Sequence, residues 1–237
     1  MGIDLNIKQV IYNSTHQERV DTSIHLNSNW LRNKTVLTAT LLKRRRTKDN
    51  LDGNPLIYAL KNLNDYTIDK KNLYPILKNA LKNLNIALNQ RKYDLILCIP
   101  SSGFIVKKLG QSVKKRLPQS TISHYVLQKC INKDIIQSID LSTITNKRHR
   151  NDVKEVLKKL KSREGAQFIL KEIKGNIREY FNPIKINNPY LIKNARNILL
   201  LDDALSSGTT LFYAQKLIKT INPSVNVEAI CFLSSLH

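Results

Sequence analysis

Residues 198–211 constrain the fold of this chain more than any other segment. Their first four residues, Ile198 to Leu201, are all apolar and show no alternation with polar side chains. Such an unbroken run is typical of a parallel β-strand that is covered on both faces. Apolar residues at helical spacing follow, from Leu211 to Ile218. The segment therefore predicts a buried strand, a polar loop and a helix in an α/β fold, with ligands bound at the carboxyl end of the strand.

The loop between this strand and helix carries groups that suit a sugar phosphate. Asp202 and Asp203 follow the apolar run, and we expect them to leave the sheet there. Two adjacent carboxylates can accept hydrogen bonds from ribose hydroxyls and can bind a hard cation such as Mg²⁺. Small residues then lead into the N-terminus of the helix, where unpaired N–H groups and the helix dipole attract phosphate. These residues are Ser206, Ser207, Gly208, Thr209 and Thr210, and the glycine would allow a positive φ and a close approach to the phosphate.

A second segment, residues 94–103, repeats the plan of strand, loop and helix. Its apolar run ends in small residues, and residues 104–117 have apolar side chains at helical spacing. The loop residues are Pro100, Ser101, Ser102 and Gly103. Taken alone, they fit a helix cap as well as a ligand loop. Together with the Asp202 segment, they favour a ligand loop.

Residues 198–210 resemble the signature of the type I phosphoribosyltransferases: an apolar strand, Asp/Glu-Asp, two mostly apolar positions, two small residues, Gly, any residue and Thr or Ser. Ala204 is smaller than the aliphatic residue that is usual there. The resemblance implies a parallel central sheet flanked by helices, and binding of phosphoribosyl pyrophosphate (PRPP) with Mg²⁺. It implies that Asp202 and Asp203 are the catalytic carboxylates and metal ligands, residues 206–210 hold the 5′-phosphate and residues 101–103 hold the pyrophosphate. Residues 167–183 are loosely similar to a stretch of the ComF-type members.

The sequence divides into an N-terminal region, residues 1–90, and a phosphoribosyltransferase-like core, residues 91–237. The first would form a mixed hood with two helices within residues 55–90. In the core, further strands are expected near residues 122–127 and 226–233.

A basic helical insertion is expected at about residues 128–196. Asp152, with Glu155 three residues on, would cap a helix whose apolar face includes Val153, Val156, Leu157 and Leu160. A second helix is expected to follow, with an apolar side formed by Ile169, Leu170, Ile173, Ile177 and Tyr180.

The formal net charge is +21, and the excess is unevenly placed. Residues 91–197 hold 23 basic and 8 acidic residues, whereas residues 198–237 hold 2 and 3. Because a small anionic substrate needs only a few cations, this clustering indicates a polyanion, with nucleic acid (RNA or DNA) as the first candidate and an anionic membrane surface as the second. A lysine- and asparagine-rich, solvated surface is the alternative explanation. The residues expected at nucleic acid are Arg44, Arg45, Arg46, Arg148, Arg150, Lys158 and Lys159.

The composition, 41% apolar, allows a substantial core but includes no run close to the roughly 20 apolar residues that span a bilayer. We therefore expect a cytoplasmic protein without a membrane partner. Cys98, Cys130 and Cys231 lie far apart, which predicts reduced thiols and neither disulfides nor a zinc site.

Two functions agree with these patterns. The first is a phosphoribosyltransferase that transfers phosphoribosyl from PRPP to a nitrogen acceptor, either a base or a group on nucleic acid. The second is a non-catalytic regulator or effector, for instance in a defence or toxin module, that binds nucleic acid through its basic face. An ordinary strand–turn–helix with aspartate and serine as turn and cap residues is the non-functional alternative. The leucine stripes of residues 55–90 would also allow a homodimer.

Overall fold

The computed structural model describes residues 1–24, 30–45, 55–101, 103–205 and 207–234. The strands are β1 (Gly2–Asn6), β2 (Gln9–Asn13), β3 (Val20–Asp21), β4 (Trp30–Asn33), β5 (Val36–Arg44), β6 (Thr67–Ile68), β7 (Leu95–Cys98), β8 (Thr121–Ser123), β9 (Leu127–Lys129), β10 (Ile184–Ile186), β11 (Asn197–Leu205) and β12 (Asn226–Ser234). The helices are α1 (Pro55–Leu60), α2 (Lys70–Leu88), α3 (Ile105–Arg116), α4 (Asn132–Ser138), α5 (Lys147–Lys161), α6 (Tyr190–Lys193) and α7 (Thr209–Ile221). No helix within these ranges is long and apolar enough to cross a membrane.

A mostly parallel sheet forms the centre of the molecule, in the order β3, β5, β12, β11, β7, β8. The neighbours from β5 to β8 are all parallel, whereas β3 and β4 pair with β5 in the antiparallel direction. Helices flank this sheet, as the apolar runs predict, so the chain is a mixed α/β protein.

Both faces of the central sheet are covered, which explains the unbroken apolar runs. Leu199 and Leu201 of β11 pack into a core shared with α1, α2 and α3, while Ile198 and Leu200 pack into a second core with α7. All four side chains are fully buried. Successive strand residues point to opposite faces, so a strand between two helical layers needs apolar residues at every position.

The first 90 residues share the core of the rest of the chain. β5 lies beside β12 in the central sheet, and the small sheet β1–β2–β6 packs on the same side as α2. The two helices that the sequence predicts in residues 55–90 are α1 and α2. Within the leucine stripe of α2, Leu84 is fully buried, whereas Leu81 is 39% exposed.

The insertion has a small hydrophobic core of its own. Its members include Ile135, Leu157, Leu160 and the stacked pair Phe168 and Phe181, whose ring centroids are 5.9 Å apart. The antiparallel ribbon of β9 and β10 connects this core to the central sheet region, because the insertion leaves after β9 and returns into β10.

Two expectations about the insertion are wrong. α5 begins at Lys147, because the side chain of Asn146, and not that of Asp152, accepts hydrogen bonds from the first N–H groups. The second helix is replaced by short 3₁₀ helices at Leu170–Glu172 and Gly175–Tyr180. A glycine within the segment disfavours a continuous α-helix. Ile173 and Ile177 are buried as predicted, whereas Ile169, expected on the same side, is exposed.

The strand expected near residues 122–127 is also divided. β8 ends at Ser123, whose hydroxyl accepts a hydrogen bond from the N–H of Tyr125 at 3.3 Å. β9 begins at Leu127 and pairs with β10 in the separate ribbon. The chain thus leaves the central sheet at this turn and enters the insertion.

Candidate functional site

The strand order places a topological switch point between β7 and β11, and we call the carboxyl ends of these two strands with the loops that follow them the crevice. From β7 the chain continues through α3 to β8 on one side, and from β11 it continues through α7 to β12 on the other side. Ligands of open parallel sheets bind at such switch points, at the carboxyl ends of the two strands. Here those ends are in register, because Cys98 is paired with Leu201.

Contrary to expectation, Asp202 and Asp203 do not leave the sheet. β11 continues to Leu205, with Asp202 opposite Cys231 of β12. β12 is long enough to supply these partners, whereas β7 ends at Cys98, opposite Leu201. The two carboxylates therefore stand on a rigid strand, next to the place where the neighbouring strand stops.

Asp203 is held by groups from two other segments. Lys61 Nζ lies 2.5 Å from Asp203 Oδ2, and the Ser101 hydroxyl donates a hydrogen bond to the same oxygen. Lys61 is only 16% exposed, and its stem crosses Gly103 so closely that a Cβ there would be 3.0 Å from Lys61 Cγ. The contacts join the β7 loop, the end of α1 and β11 at one carboxylate.

Asp202 is a buried carboxyl group with an unusual affinity for its proton. Burial first, and the charge of Asp203 second, raise the pKa of Asp202 to about 7. The backbone N–H of Asp203 donates to Asp202 Oδ1 at 2.8 Å, which favours the charged form. The surroundings of Asp202 therefore favour the protonated carboxyl more than water does.

Lys129, at the end of β9, is a second lysine on which the charges of Asp202 and Asp203 act. Its side chain is partly buried, and burial is the main cause that lowers its pKa. The charge of Lys61 lowers this pKa further, whereas Asp203 and Asp202 raise it. The charge of Lys171, an exposed residue of the insertion, also lowers it.

Gly208 has the left-handed conformation that the sequence predicts, with φ of +70°, and immediately precedes α7. The close neighbour that excludes a side chain at this position is Asn33, because a Cβ on Gly208 would be 2.1 Å from Asn33 Oδ1. Ser207 and Thr209 are joined by a hydrogen bond of 3.0 Å between their hydroxyls, and Thr209 is buried. Thr210 is partly exposed in the first turn of α7.

The turn between β4 and β5 lies against the N-terminus of α7. Lys34 Nζ is 3.3 Å from Thr209 Oγ1 and lies over the Phe212 ring, 5.3 Å from its centroid. The Thr35 hydroxyl donates to Gln215 Oε1, and Gln215 Nε2 donates to the Thr35 carbonyl at 3.3 Å. The turn thus brings a lysine to the loop where the sequence predicts a phosphate.

The basic residues that we expect to bind nucleic acid lie in two places. Arg148, Lys158 and Lys159 are exposed on α5, whereas the guanidinium of Arg150 donates to the Ile144 carbonyl at 2.6 and 2.9 Å. Four of the predicted basic residues therefore lie on α5, and one of them has an internal contact.

The other predicted basic residues follow β5. Arg44 is partly exposed at the end of β5, and Arg45 Nη2 forms an ion pair of 2.8 Å with the fully buried Asp21. Arg45 therefore has a structural partner. Arg46 lies outside the described residues, as do Ser102 and Ser206 of the two expected loops.

Sequence patterns did not indicate Lys61, Lys129, Lys34 or Asn33. Each is a polar residue in or next to a short element whose local pattern is not unusual. Only the packing of distant segments brings them to the crevice.

Both carboxylates of the crevice have interactions within the protein. Asp203 Oδ2 contacts the Lys61 ammonium and the Ser101 hydroxyl, and burial together with the charge of Asp203 raises the pKa of Asp202. No group of three or more His, Cys, Asp or Glu side chains that could hold a metal occurs among the described residues. Asp203 thus forms an ion pair with Lys61 of the chain itself.

Two comparisons with known proteins found no match. No model of a protein family matches the chain, and no curated protein is significantly similar to it in sequence.

Proposed function

We propose that this protein binds PRPP in the crevice between β7 and β11 and transfers its phosphoribosyl group to a nitrogen acceptor. One observation carries the proposal: the carboxylates of β11, the β7 loop and the N-terminus of α7 meet at the switch point of a parallel sheet. The carboxylates suit the ribose hydroxyls of PRPP, the N-terminus of α7 suits its 5′-phosphate, and the β7 loop suits its diphosphate.

In this proposal Asp202 and Asp203 accept hydrogen bonds from the ribose hydroxyls. The 5′-phosphate lies at the N-terminus of α7, near the hydroxyls of Ser207 and Thr209 and the ammonium of Lys34. The diphosphate lies toward Ser101 and Gly103. Mg²⁺ would be carried by the diphosphate of the donor, because Asp203 already forms an ion pair with Lys61.

The reaction would be a displacement at C1 of the ribose. The acceptor nitrogen forms the new bond to C1, the bond from C1 to the pyrophosphate oxygen breaks, and the nitrogen then loses its proton. The protein contributes orientation and fixed charges that favour the departing diphosphate.

The first test is whether the purified protein binds PRPP and releases pyrophosphate with candidate bases or RNA as acceptor. Asp203→Asn should reduce release by about 10- to 100-fold, because it removes a charged hydrogen-bond acceptor. Asp134→Asn is the matched control, because Asp134 forms an exposed ion pair with Lys185 in the insertion. If PRPP does not bind to the wild type, the proposal is wrong.

A second candidate function is binding of nucleic acid by the insertion, with or without catalysis at the crevice. The observation in its favour is the solvent face of α5, where basic residues recur at helical spacing while Val153, Leu157 and Leu160 face the small core. The exposed basic residues of this face are Lys147, Arg148, Lys154, Lys158, Lys159 and Lys161. In a non-catalytic regulator or effector, this face alone would supply the function.

Salt dependence tests this candidate. Replacing Arg148, Lys154, Lys158 and Lys159 with Ala should weaken binding to RNA or DNA and reduce the slope of log K against log salt by about 3 to 4. The matched control replaces four exposed lysines of α2, Lys70, Lys71, Lys78 and Lys82, and so removes the same charge elsewhere. Equal effects of the two sets would mean that the protein has only a diffuse basic surface.

A further inference from the structure

A basic stretch without acidic residues runs from β7 to the start of the insertion. Residues 95–133 contain seven lysines and arginines and no Asp or Glu. The two flanking carboxylates have other partners. Asp94 accepts hydrogen bonds from two backbone N–H groups at the start of β11, and Asp134 forms an ion pair with Lys185. The positive charge of this stretch is therefore not balanced by neighbouring carboxylates.

Three of these basic residues project from α3 into solvent. Lys107, Lys108 and Lys115 are exposed, and none of them forms an ion pair within the described part of the chain. Lys114 differs, because its ammonium donates to two backbone carbonyls at 2.6 and 2.9 Å. The three exposed ammonium groups are thus available to an anion from outside the protein.

An open groove of about 480 Å³ lies between α3 and β8, the last strand of the central sheet. We call it the α3–β8 groove, and its lining residues are Gln111, Lys114, Lys115, Ile122 and His124. Gly110 allows the helix to lie close to the strand, because a Cβ there would be 2.8 Å from Ile122 Cδ1 and 3.4 Å from His124 Cε1. The lining includes two lysines and no carboxylate.

Two exposed aromatic rings lie where β7 and β8 end. Phe104 precedes α3 and is 48% exposed, and its position one turn before Lys107 and Lys108 places it on the same side of the helix. Tyr125 follows β8, is 78% exposed and lies edge-on to His124, with ring centroids 6.5 Å apart. Because β7 and β8 are parallel neighbours, both rings are at one edge of the sheet.

We infer that the α3–β8 groove binds a single strand of nucleic acid. Lysines spaced along one helix suit the repeated charges of a phosphate backbone, which a small anion lacks. Exposed rings suit unpaired bases, because an aromatic side chain can stack on the face of a base, whereas a duplex hides these faces. Phosphates would lie at the three exposed lysines, and bases would stack on Phe104 and Tyr125. This site is distinct from the face of α5 and requires no PRPP.

Fluorescence anisotropy tests the inference with a labelled strand of about 12 nucleotides, oligo(dT) or oligo(U), and with a DNA duplex of equal length. Phe104→Ala and Tyr125→Ala should each weaken binding of the strand by about 5- to 100-fold and change binding of the duplex by less than about threefold. Alanine at Lys107, Lys108 and Lys115 together should weaken binding of the strand and reduce the slope of log K against log salt by about 2.

α2 offers matched controls for both kinds of variant. Tyr74 is 69% exposed, and the exposed lysines Lys70, Lys71 and Lys78 lie within about one turn of it. Tyr74→Ala should leave binding of the strand within about threefold of the wild type. Alanine at the three lysines should reduce the salt slope by less than about 1, although it removes the same charge as the groove variant.

Four results would overturn the inference. The wild type could fail to bind either strand, the groove and control variants could lose affinity equally, or the aromatic variants could affect strand and duplex alike. The fourth is binding of vesicles that contain phosphatidylserine without binding of the strand. Phe104→Leu and Tyr125→Leu keep an apolar side chain without an aromatic face, so they replace an alanine variant that fails to fold. No probe contains PRPP, so each of these results leaves the proposed transferase standing.

Discussion

The contact between Gly208 and Asn33 gives a quantitative prediction for the loop that precedes α7. Gly208→Ala adds two costs. An L-residue at φ of +70° loses about 1–2 kcal/mol relative to glycine, and the new Cβ would overlap Asn33 Oδ1, for which overpacking of about 1–2 kcal/mol is expected. The variant should therefore lose about 2–4 kcal/mol of unfolding free energy.

A double-mutant cycle separates the two costs. In an Asn33→Ala background the overlap disappears, so Gly208→Ala should cost only about 1–2 kcal/mol, which leaves a coupling energy of similar size. Urea unfolding followed by circular dichroism measures all four proteins, with equal m-values as the condition for the comparison.

A control variant and two possible results test whether Asn33 and the positive φ cause the loss of stability. Gly165→Ala should change stability by less than about 0.5 kcal/mol, because no atom lies within 4 Å of a Cβ at that position. An equal cost of Gly208→Ala in both backgrounds would show that Asn33 does not lie against the loop. A negligible cost in both would show that residue 208 does not have a positive φ.

Three further predictions concern other parts of the molecule. The folded-state pKa of Asp202, about 7, exceeds the unfolded value of 3.8, so its contribution to stability falls as pH rises from about 4 to 7. Asp202→Asn should then raise the urea midpoint at about pH 8 and leave it almost unchanged at about pH 4. Arg45→Ala removes the ion pair of Arg45 with the buried Asp21 and should cost about 1–3 kcal/mol in urea unfolding. Phe181→Ala should cost about 3–5 kcal/mol in the core of the insertion, and hydrogen exchange should show faster opening there than in β11.

Each of these predictions has its own contradicting result. An equal gain in midpoint at both pH values would contradict the raised pKa of Asp202. Lys8→Ala, in an exposed ion pair with Asp65, is the control for Arg45→Ala and should cost less than about 1 kcal/mol. Uniform acceleration of exchange in Phe181→Ala would mean that the insertion has no separate core.

The strand–loop–helix units could be predicted because their signals are local. Residues 198–201 form a buried strand, Gly208 has a positive φ and α7 follows, each as the sequence predicts. The same holds for β7 and α3. In these segments the spacing of the apolar residues and the position of the glycine are enough to predict the local structure.

The predictions failed where contacts with another part of the chain determine the local structure. Asp202 stays in the sheet because β12 continues beside it. The length of β12 cannot be predicted from the sequence of β11. α5 begins earlier than Asp152 because Asn146 caps it, and both residue types are good caps. Lys61 reaches Asp203 across 142 positions of sequence, a contact that no local pattern encodes.

The ribbon of β9 and β10 has a consequence for the relation between the two candidate activities. Lys129 closes β9, and the insertion that carries the basic face of α5 begins within three residues of it. A partner that shifts the insertion on binding would also shift Lys129 beside the carboxylates. Linkage then requires reciprocity: whatever factor the bound partner imposes on the affinity for a ligand in the crevice, the ligand imposes on the affinity for the partner.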